Sequence, residues 1–269
     1  MKRQLTQSVI VLSLAYALSG CASDIADGDT KRVPPSSHDS SDKPSVLLVH
    51  GAWADAQSWE KVTDLLLNDG YSVTAIENPL TSLVDDIATT HRAIEAAAAL
   101  GPVVVVGHSY GGAVVTGAAN HVDNVKALVY VNAFAPDADE TVGQLAMEYP
   151  SELGTALTPD AAGFLFIDRD KFHDVFCGDL PARQARVLAA SQKPVLGAAF
   201  AEPMPESAWR TLPSYYVIGT RDHAISPNAQ RFMAKRIGAQ TLELDASHVS
   251  FISQFEAVGR FIERAAEEN

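Results

Sequence analysis

The chain has 269 residues, of which 47% are hydrophobic, 20% charged and 7% aromatic, a composition typical of globular proteins that excludes collagen-like, coiled-coil and wholly disordered chains. With 20 basic against 33 acidic residues the net charge is −13, so the chain lacks the basic surface that binding to a nucleic acid requires. Its two cysteines, Cys21 and Cys177, exclude a disulfide framework and a zinc site with four thiolate ligands.

Residues 1–20 have the pattern of a secretory signal. Positions 2 and 3 are basic, and residues 9–18 form an apolar stretch that is too short to cross a membrane as a helix, which needs about 20 residues. The motif Leu18-Ser19-Gly20-Cys21 follows and resembles the lipobox of bacterial lipoproteins, in which the cysteine is acylated before cleavage. The resemblance implies that the protein is exported and that Cys21 anchors it to a membrane, the outer one in a Gram-negative cell.

A polar segment separates this signal from the rest of the chain. Residues 22–44 are rich in Ser, Asp and Pro and contain almost no large apolar side chain, so they cannot bury enough surface to order themselves. We therefore expect residues 21–44 to form an acylated, disordered tether and residues 45–269 to form the folded domain. A plain secretory signal, with Cys21 an ordinary thiol, is the alternative for the N-terminus.

Short β-branched runs alternate with helical periods along the folded domain. The runs at 46–49 and 103–106 are continuously apolar, as in strands that are buried on both faces of a sheet. Further strands are predicted at 71–76, 127–131, 215–218 and 241–244, and helices near 59–66, 83–94, 111–121, 230–237 and from 254 onward. This alternation predicts an α/β fold with a mostly parallel sheet of about six strands and helices on both faces.

The alternation lapses between Asp137 and Arg210, where prolines separate short apolar pieces. A stretch of this length between two strands of the core is typical of an inserted cap. We place this small cap at about residues 137–210.

One motif follows the buried run at 103–106. The sequence Gly107-His108-Ser109-Tyr110-Gly111 fits the pattern G-x-S-x-G, in which a nucleophilic serine sits on a sharp turn between a strand and a helix. The residues two before and two after the serine face each other closely in such a turn, so both must be tiny. The start of the following helix also stabilises negative charge beside Ser109.

With this motif, the sequence resembles the α/β-hydrolase superfamily, and within it the small-cap esterases that include plant methyl esterases and hydroxynitrile lyases. The end of the first strand, His50-Gly51-Ala52-Trp53, matches the same family. The resemblance implies the α/β-hydrolase fold and an oxyanion hole formed by the backbone N–H groups of Ala52 and Tyr110. We interpret His50 and His108 as supports of these two motifs.

The order of a catalytic triad in this fold is serine, acid, histidine. Asp222 and His248 follow the last two predicted strands in that order. His248 would take the proton of Ser109, and Asp222 would orient the imidazole. His223 is a rival base that fails the chain order, whereas Asp137 stays open as an alternative acid.

Substrate and cofactor are inferred from what surrounds the motifs. The sequence contains no phosphate-binding, dinucleotide-binding or zinc-protease motif, so it implies no cofactor and no metal. Aromatic side chains are candidates for binding an apolar substrate, and packing onto the core is the alternative for those in the cap. The candidates are Trp53, Phe164, Phe166, Phe172 and Phe176.

Together these features predict a serine hydrolase that cleaves a small carboxylic ester through an acyl-enzyme. A ligand-binding lipoprotein on the same fold and a cofactor-free perhydrolase with the same triad are the alternatives. Hydroxynitrile lyases of the resembled group place a lysine in the site between acid and histidine. Lys235 is the only lysine between Asp222 and His248, and it is predicted in the middle of a helix, which disfavours lyase activity.

If Cys21 carries the lipid, Cys21→Ser should move the protein to the soluble fraction or block cleavage of the signal, because the acylated sulfur is lost. Membrane fractionation measures this.

A chain beginning near Lys43 should hydrolyse esters at an unchanged rate, since a disordered tether transmits no structure. Wild-type protein found wholly in the soluble fraction, or a shortened chain that is folded but inactive, would contradict the prediction.

Overall fold

Six strands form the central sheet of the protein. The computed structural model describes residues 43–269, so the predicted signal, Cys21 and nearly all of the predicted tether lie outside the described residues. The strand order is β2-β1-β3-β4-β8-β9, and every neighbouring pair is parallel. These strands are β1 (Ser45–Val49), β2 (Val73–Ile76), β3 (Val103–His108), β4 (Val125–Val131), β8 (Ser214–Gly219) and β9 (Gln240–Leu244). The predicted sheet is confirmed.

The middle of the sheet explains why the apolar runs could be recognised. Every residue of β3 is buried, and β3 lies between β1 and β4. A strand in this position is covered on both faces, so it reads as a continuous apolar run rather than an alternating one. The register pairs Val49 with Gly107 and His108 with Val131, so these three strands end at the same edge of the sheet.

Helices surround the sheet, as predicted. Helix α1 (Glu60–Asn68) packs against α9 (Phe255–Glu267), and α2 (Leu83–Ala98) packs against α3 (Tyr110–Ala118). Ser82 caps α2 by accepting a hydrogen bond from the N–H of Asp85 at 3.0 Å. The helices between or after the sheet strands are α1 (Glu60–Asn68), α2 (Leu83–Ala98), α3 (Tyr110–Ala118), α7 (Pro227–Arg236), α8 (Ser250–Ser253) and α9 (Phe255–Glu267).

A long inserted segment, residues 132–213, separates β4 from β8. Besides its helices it contains a three-stranded antiparallel sheet, which the sequence analysis did not predict because the strands have only two to four residues. Its elements are α4 (Val142–Glu148), β5 (Leu157–Pro159), β6 (Phe164–Ile167), α5 (Phe172–Phe176), α6 (Ala182–Ser191) and β7 (Val195–Leu196). The cap boundaries at 137–210 stay a prediction.

Backbone hydrogen bonds tie the inserted segment to loops of the main sheet. The N–H of Trp53 donates to the carbonyl of Lys193 at 3.0 Å, and the N–H of Leu196 donates to the carbonyl of Leu80 at 2.9 Å. The segment therefore lies over the edge at which the parallel strands end. Within residues 43–269, no helix combines the length and the apolar character needed to cross a membrane.

Candidate active site

Ser109 occupies a strained turn between β3 and α3. Its backbone angles are φ 55° and ψ −124°, in a region that residues with a side chain rarely adopt. A Cβ atom at Gly107 would lie 2.5 Å from the carbonyl oxygen of Gly111, and one at Gly111 would lie 2.6 Å from that of His50. The expectation that only a very small residue fits at positions 107 and 111 is therefore confirmed, since any side chain there would collide with the backbone.

The residues after β4 hold this turn from the other side. The N–H of Ser109 donates to the carbonyl of Val131 at 3.2 Å, and the N–H of Phe134 donates to the carbonyl of Ser109 at 3.0 Å. Asn132 lies between these two contacts and adopts a left-handed φ of 46°. Its side-chain amide donates 3.1 Å to Oδ2 of Asp222, which brings the loop after β8 to the same place.

The carboxylate of Asp222 is buried and surrounded by donors. Removing such a charge from water is costly unless hydrogen bonds replace the lost hydration. Oδ1 accepts two hydrogen bonds and Oδ2 accepts three. The donors are Ala224 N at 2.8 Å, Ile225 N at 2.8 Å, Asn132 Nδ2 at 3.1 Å, Gln230 Nε2 at 2.7 Å and His248 Nδ1 at 2.8 Å.

The contact with Asp222 sets the tautomer of His248. Because Nδ1 donates to the carboxylate, Nε2 of the neutral ring is left as an acceptor, and this buried Nε2 has no hydrogen-bond partner within the described residues. The backbone carbonyl of His248 accepts a hydrogen bond from Nε2 of His108 at 3.0 Å. An acceptor nitrogen is therefore available at the strand edge that also carries Ser109.

The ring of His108 packs beside the ring of His248. The two imidazole rings lie 4.7 Å apart between centroids. Complete burial, together with the neighbouring His248, holds the pKa of His108 well below its ordinary value. His108 is thus a neutral donor that supports the backbone of His248.

The two alternative residues from the sequence analysis lie elsewhere. The ring of His223 is half exposed, and its Nδ1 is 3.5 Å from a carboxylate oxygen of Glu152. The carboxylate of Asp137 accepts a hydrogen bond from Nε of Arg210 at 2.9 Å and pairs with the same guanidinium. The structure therefore brings Asp222, and not Asp137, to His248.

Ala52 and Tyr110, the two residues of the predicted oxyanion hole, lie in segments next to Ser109. A Cβ atom at Gly51 would lie 2.6 Å from Cβ of Ser109, so the turn that contains Ala52 abuts the serine. Tyr110 is the first residue of α3, and the N–H of a first helical residue has no partner inside its own helix. His50 supports the turn by donating from Nδ1 to the carbonyl of Gly51 at 2.8 Å.

An apolar cavity of about 350 Å³ opens beside Ser109. Among the residues that the structure describes, no charged side chain lines it. Most of its wall comes from α4, the loop after it and two phenylalanines. The apolar lining residues include Trp53, Phe134, Val142, Met147, Leu153, Leu157 and Phe200.

Of the predicted substrate-binding residues, only Trp53 lines this cavity. Phe164 and Phe166 belong to β6, outside its wall. Phe172 and Phe176 are buried on one face of α5 with ring centroids 5.0 Å apart, so the alternative interpretation as packing residues describes them better. Substrate binding by these four residues stays a prediction, because aromatic composition does not reveal which face of the inserted segment turns toward Ser109.

The side chain of Tyr110 contacts a buried acid. Its hydroxyl donates to Oδ2 of Asp86 at 2.8 Å, and the N–H of Leu80 donates to Oδ1 at 2.8 Å. Asp86 is fully buried, and this burial raises the pKa of its carboxyl to about 6. This pair was not predicted from the sequence, although an acid in the first turn of a capped helix is a signal that points to it.

Comparisons with known proteins agree with this geometry. Residues 46–261 match the model of the alpha/beta hydrolase family. A probable hydrolase from Phoma sp. is 27% identical over 243 residues, which cover 83% of this chain and 98% of the relative. Methylesterase 8 from Arabidopsis thaliana is 26% identical over 215 residues, 71% of this chain and 77% of the relative.

A solved structure shows the same fold. The pyrethroid hydrolase from Sphingobium faniae JZ-2 superposes with a TM-score of 0.69 over 83% of this chain and 97% of its own, at 24% identity. The family predicted from the two motifs is confirmed, and a methylesterase is among the relatives, as the resemblance implied.

The raised pKa of Asp86 makes a prediction about stability. A carboxyl whose pKa is near 6 in the folded state and near 4 in the unfolded state stabilises the fold most below pH 4, and this contribution is lost as pH rises through 6. Asp86→Asn has no such carboxyl. The unfolding free energy of Asp86→Asn relative to wild type should therefore rise by about 1 kcal/mol between pH 5 and pH 7.5.

Denaturant unfolding at both pH values measures this difference. Asp85→Asn is the matched control, because Asp85 is the exposed neighbour in the same helical turn. If the difference in unfolding free energy between Asp86→Asn and wild type stays constant or falls as the pH rises, burial does not raise the pKa of Asp86.

Proposed function

Since the chain belongs to the alpha/beta hydrolase family, we propose that it is a carboxylic ester hydrolase in which Ser109, His248 and Asp222 form the catalytic triad. The observation that carries this proposal is the buried, unpartnered Nε2 of His248, oriented by Asp222 at the strand edge where Ser109 sits. The hydrolase and methylesterase relatives support the same reaction class.

The reaction begins when His248 Nε2 takes the hydroxyl proton of Ser109. The serine oxygen attacks the ester carbonyl, and the resulting oxyanion accepts hydrogen bonds from the N–H groups of Ala52 and Tyr110. The imidazolium then gives its proton to the alcohol, which leaves as the bond between carbonyl carbon and ester oxygen breaks. Water, activated by the same nitrogen, hydrolyses the acyl-serine and restores the enzyme.

Asp222 stabilises the imidazolium that forms in both halves of this reaction. It already accepts a hydrogen bond from His248 Nδ1 at 2.8 Å before any proton moves. The four other donors around it hold the carboxylate in place. Little reorganisation is therefore needed when the charge appears, which is the condition under which such groups lower a barrier most.

The cavity beside Ser109 limits the acyl or alcohol group of the substrate. Its lining is apolar, and no lysine or arginine among the described residues lines it to pair with an anionic group. We infer an uncharged, apolar substituent that fits about 350 Å³. Lys235 is exposed on α7 and offers no ammonium group to this cavity, which favours hydrolysis over lyase chemistry.

We also propose export and membrane anchoring of this enzyme through Cys21. The support is the lipobox motif and the polar segment after it, both read from the sequence. The hydrolase domain would then act at a membrane surface on small ester molecules.

Ser109→Ala should lower the rate of ester hydrolysis on the order of 10³-fold or more while leaving the circular dichroism spectrum unchanged, because only the nucleophilic oxygen is removed. Hydrolysis of p-nitrophenyl acetate and labelling by a fluorophosphonate measure it. Ser151→Ala is the matched control, since Ser151 lines the same cavity but donates its hydroxyl to the carbonyl of Ala224 at 2.8 Å.

Two outcomes would overturn the assignment. Substantial ester hydrolysis by folded Ser109→Ala would show that Ser109 is not the nucleophile, and wild type that is neither labelled nor active on any ester would favour a ligand-binding protein.

Substitution of the two candidate acids provides a further check. Asp222→Asn should lower the rate of ester hydrolysis on the order of 10²-fold or more, whereas Asp137→Asn should lower it far less.

Filling the cavity should change specificity rather than chemistry. Ala146 lines the cavity from α4, so Ala146→Phe should lower kcat/KM for p-nitrophenyl octanoate on the order of 10-fold while kcat/KM for the acetate changes less than about twofold. Ala182→Phe, on the exposed start of α6, is the control. Equal losses for both esters would show that the substrate does not occupy this cavity.

A further inference from the structure

We propose that Asp179, in the inserted segment, is a positioning residue for His248 and acts through Ser247. The inference rests on the proposed function, because it assigns a role in orienting the proposed base. Asp179 follows α5 by three residues and is 68 positions from Ser247 in sequence, so neither motif analysis nor the order of the triad points to it.

The carboxylate of Asp179 binds both donors of Ser247. The N–H of Ser247 donates to Oδ2 at 3.1 Å, and its hydroxyl donates to Oδ1. The carbonyl of Ser247 accepts a hydrogen bond from Nδ2 of Asn132 at 3.2 Å. Hydrogen bonds to an ionised acceptor are stronger than those between neutral groups. Ser247, the residue before His248, is therefore held at its N–H, its hydroxyl and its carbonyl.

The consequence for His248 follows from chain connectivity. The position of Ser247 sets where the backbone of His248 begins, and the carbonyl of His248 is held by His108 at 3.0 Å. With Nδ1 bonded to Asp222, the ring has little freedom left to turn Nε2 away from Ser109. A displacement of about 1 Å in a reacting group can cost on the order of 10²-fold in rate.

The turn that carries Asp179 is itself rigid. The N–H of Cys177 donates to the carbonyl of His173 at 3.1 Å, and Nε2 of His173 donates to the carbonyl of Leu180 at 2.9 Å. Phe176, three residues before Asp179, packs against the ring of His248 with centroids 4.9 Å apart. Residues 176–179 thus contact His248 directly, through the ring of Phe176, and indirectly, through the carboxylate of Asp179 bound to Ser247.

The test separates positioning from a merely structural role. We expect Asp179→Ala to lower kcat for p-nitrophenyl acetate on the order of 10-fold, with KM changed less than about threefold, because the base and not the cavity is displaced. Asp179→Asn keeps one acceptor oxygen, so its kcat should lie between that of wild type and that of Asp179→Ala. Asp174→Ala, an exposed acid on α5, is the control and should match wild type.

A second measurement tests whether the effect passes through His248. In a His248→Ala background, adding Asp179→Ala should leave the residual rate of fluorophosphonate labelling unchanged, since there is no base left to position. An unchanged kcat in folded Asp179→Ala, or an equal further loss in the His248→Ala background, would overturn the inference. If Asp179→Ala does not fold, Asp179→Asn decides by the same two criteria.

Assays of wild-type protein distinguish failure of the inference on Asp179 from failure of the proposed function. Wild-type protein that is neither labelled nor active on esters would overturn the proposed function and the role of Asp179 with it. Active wild type with an unaffected Asp179→Ala would overturn the role of Asp179 alone.

Discussion

The buried negative charge of Asp222 is the interaction on which the arrangement of the site depends. A carboxylate taken out of water must receive hydrogen bonds from the protein, and its donors come from the loops after β4, β8 and β9 and from α7. Gly219 is part of the same requirement, since a Cβ atom there would lie 2.2 Å from the donating amide nitrogen of Asn132. Satisfying one charge thus fixes three loops relative to each other.

The inserted segment completes this edge of the sheet. It is bonded to the turn after β1 through Lys193, to the loop before α2 through Leu196 and to the loop after β9 through Asp179. The apolar cavity lies between the segment and Ser109, so its shape depends on attachments of this kind. Hydrogen bonds from Ser247 to Asp179 and from Asn132 to Ser247 and Asp222 therefore join the inserted segment, which lines the cavity, to the residues around Asp222.

The sequence predicted those features that local sterics or periodicity dictate. Gly107 and Gly111 could be recognised because the turn at Ser109 leaves no room for a side chain, and the strands could be recognised because burial on both faces requires apolar runs. Most of the cavity wall could not be predicted. Phe200 lies 91 positions after Ser109, and only the folding of a proline-punctuated segment brings it there.

Buried polar pairs were missed for a related reason. Asp86 and Tyr110 belong to different helices, and the hydrogen bond between them forms only when α2 packs on α3. Asp179 resembles any other acid of an acidic chain until its partner is known. Pairings of this kind depend on tertiary contacts that leave no periodic signal in sequence.

The span of the contacts made by Asn132 has a consequence for folding kinetics. Its side chain bonds Asp222, Ser247 and Ser250, and the last of these is 118 positions away. Contacts between residues so distant in sequence carry a high loop-closure entropy and form slowly. Ser109 follows β3, whereas Ser247, His248 and Ser250 all follow β9. The hydrogen-bond network around Asp222 and Asn132 is therefore complete only when the C-terminal part of the chain has joined the sheet.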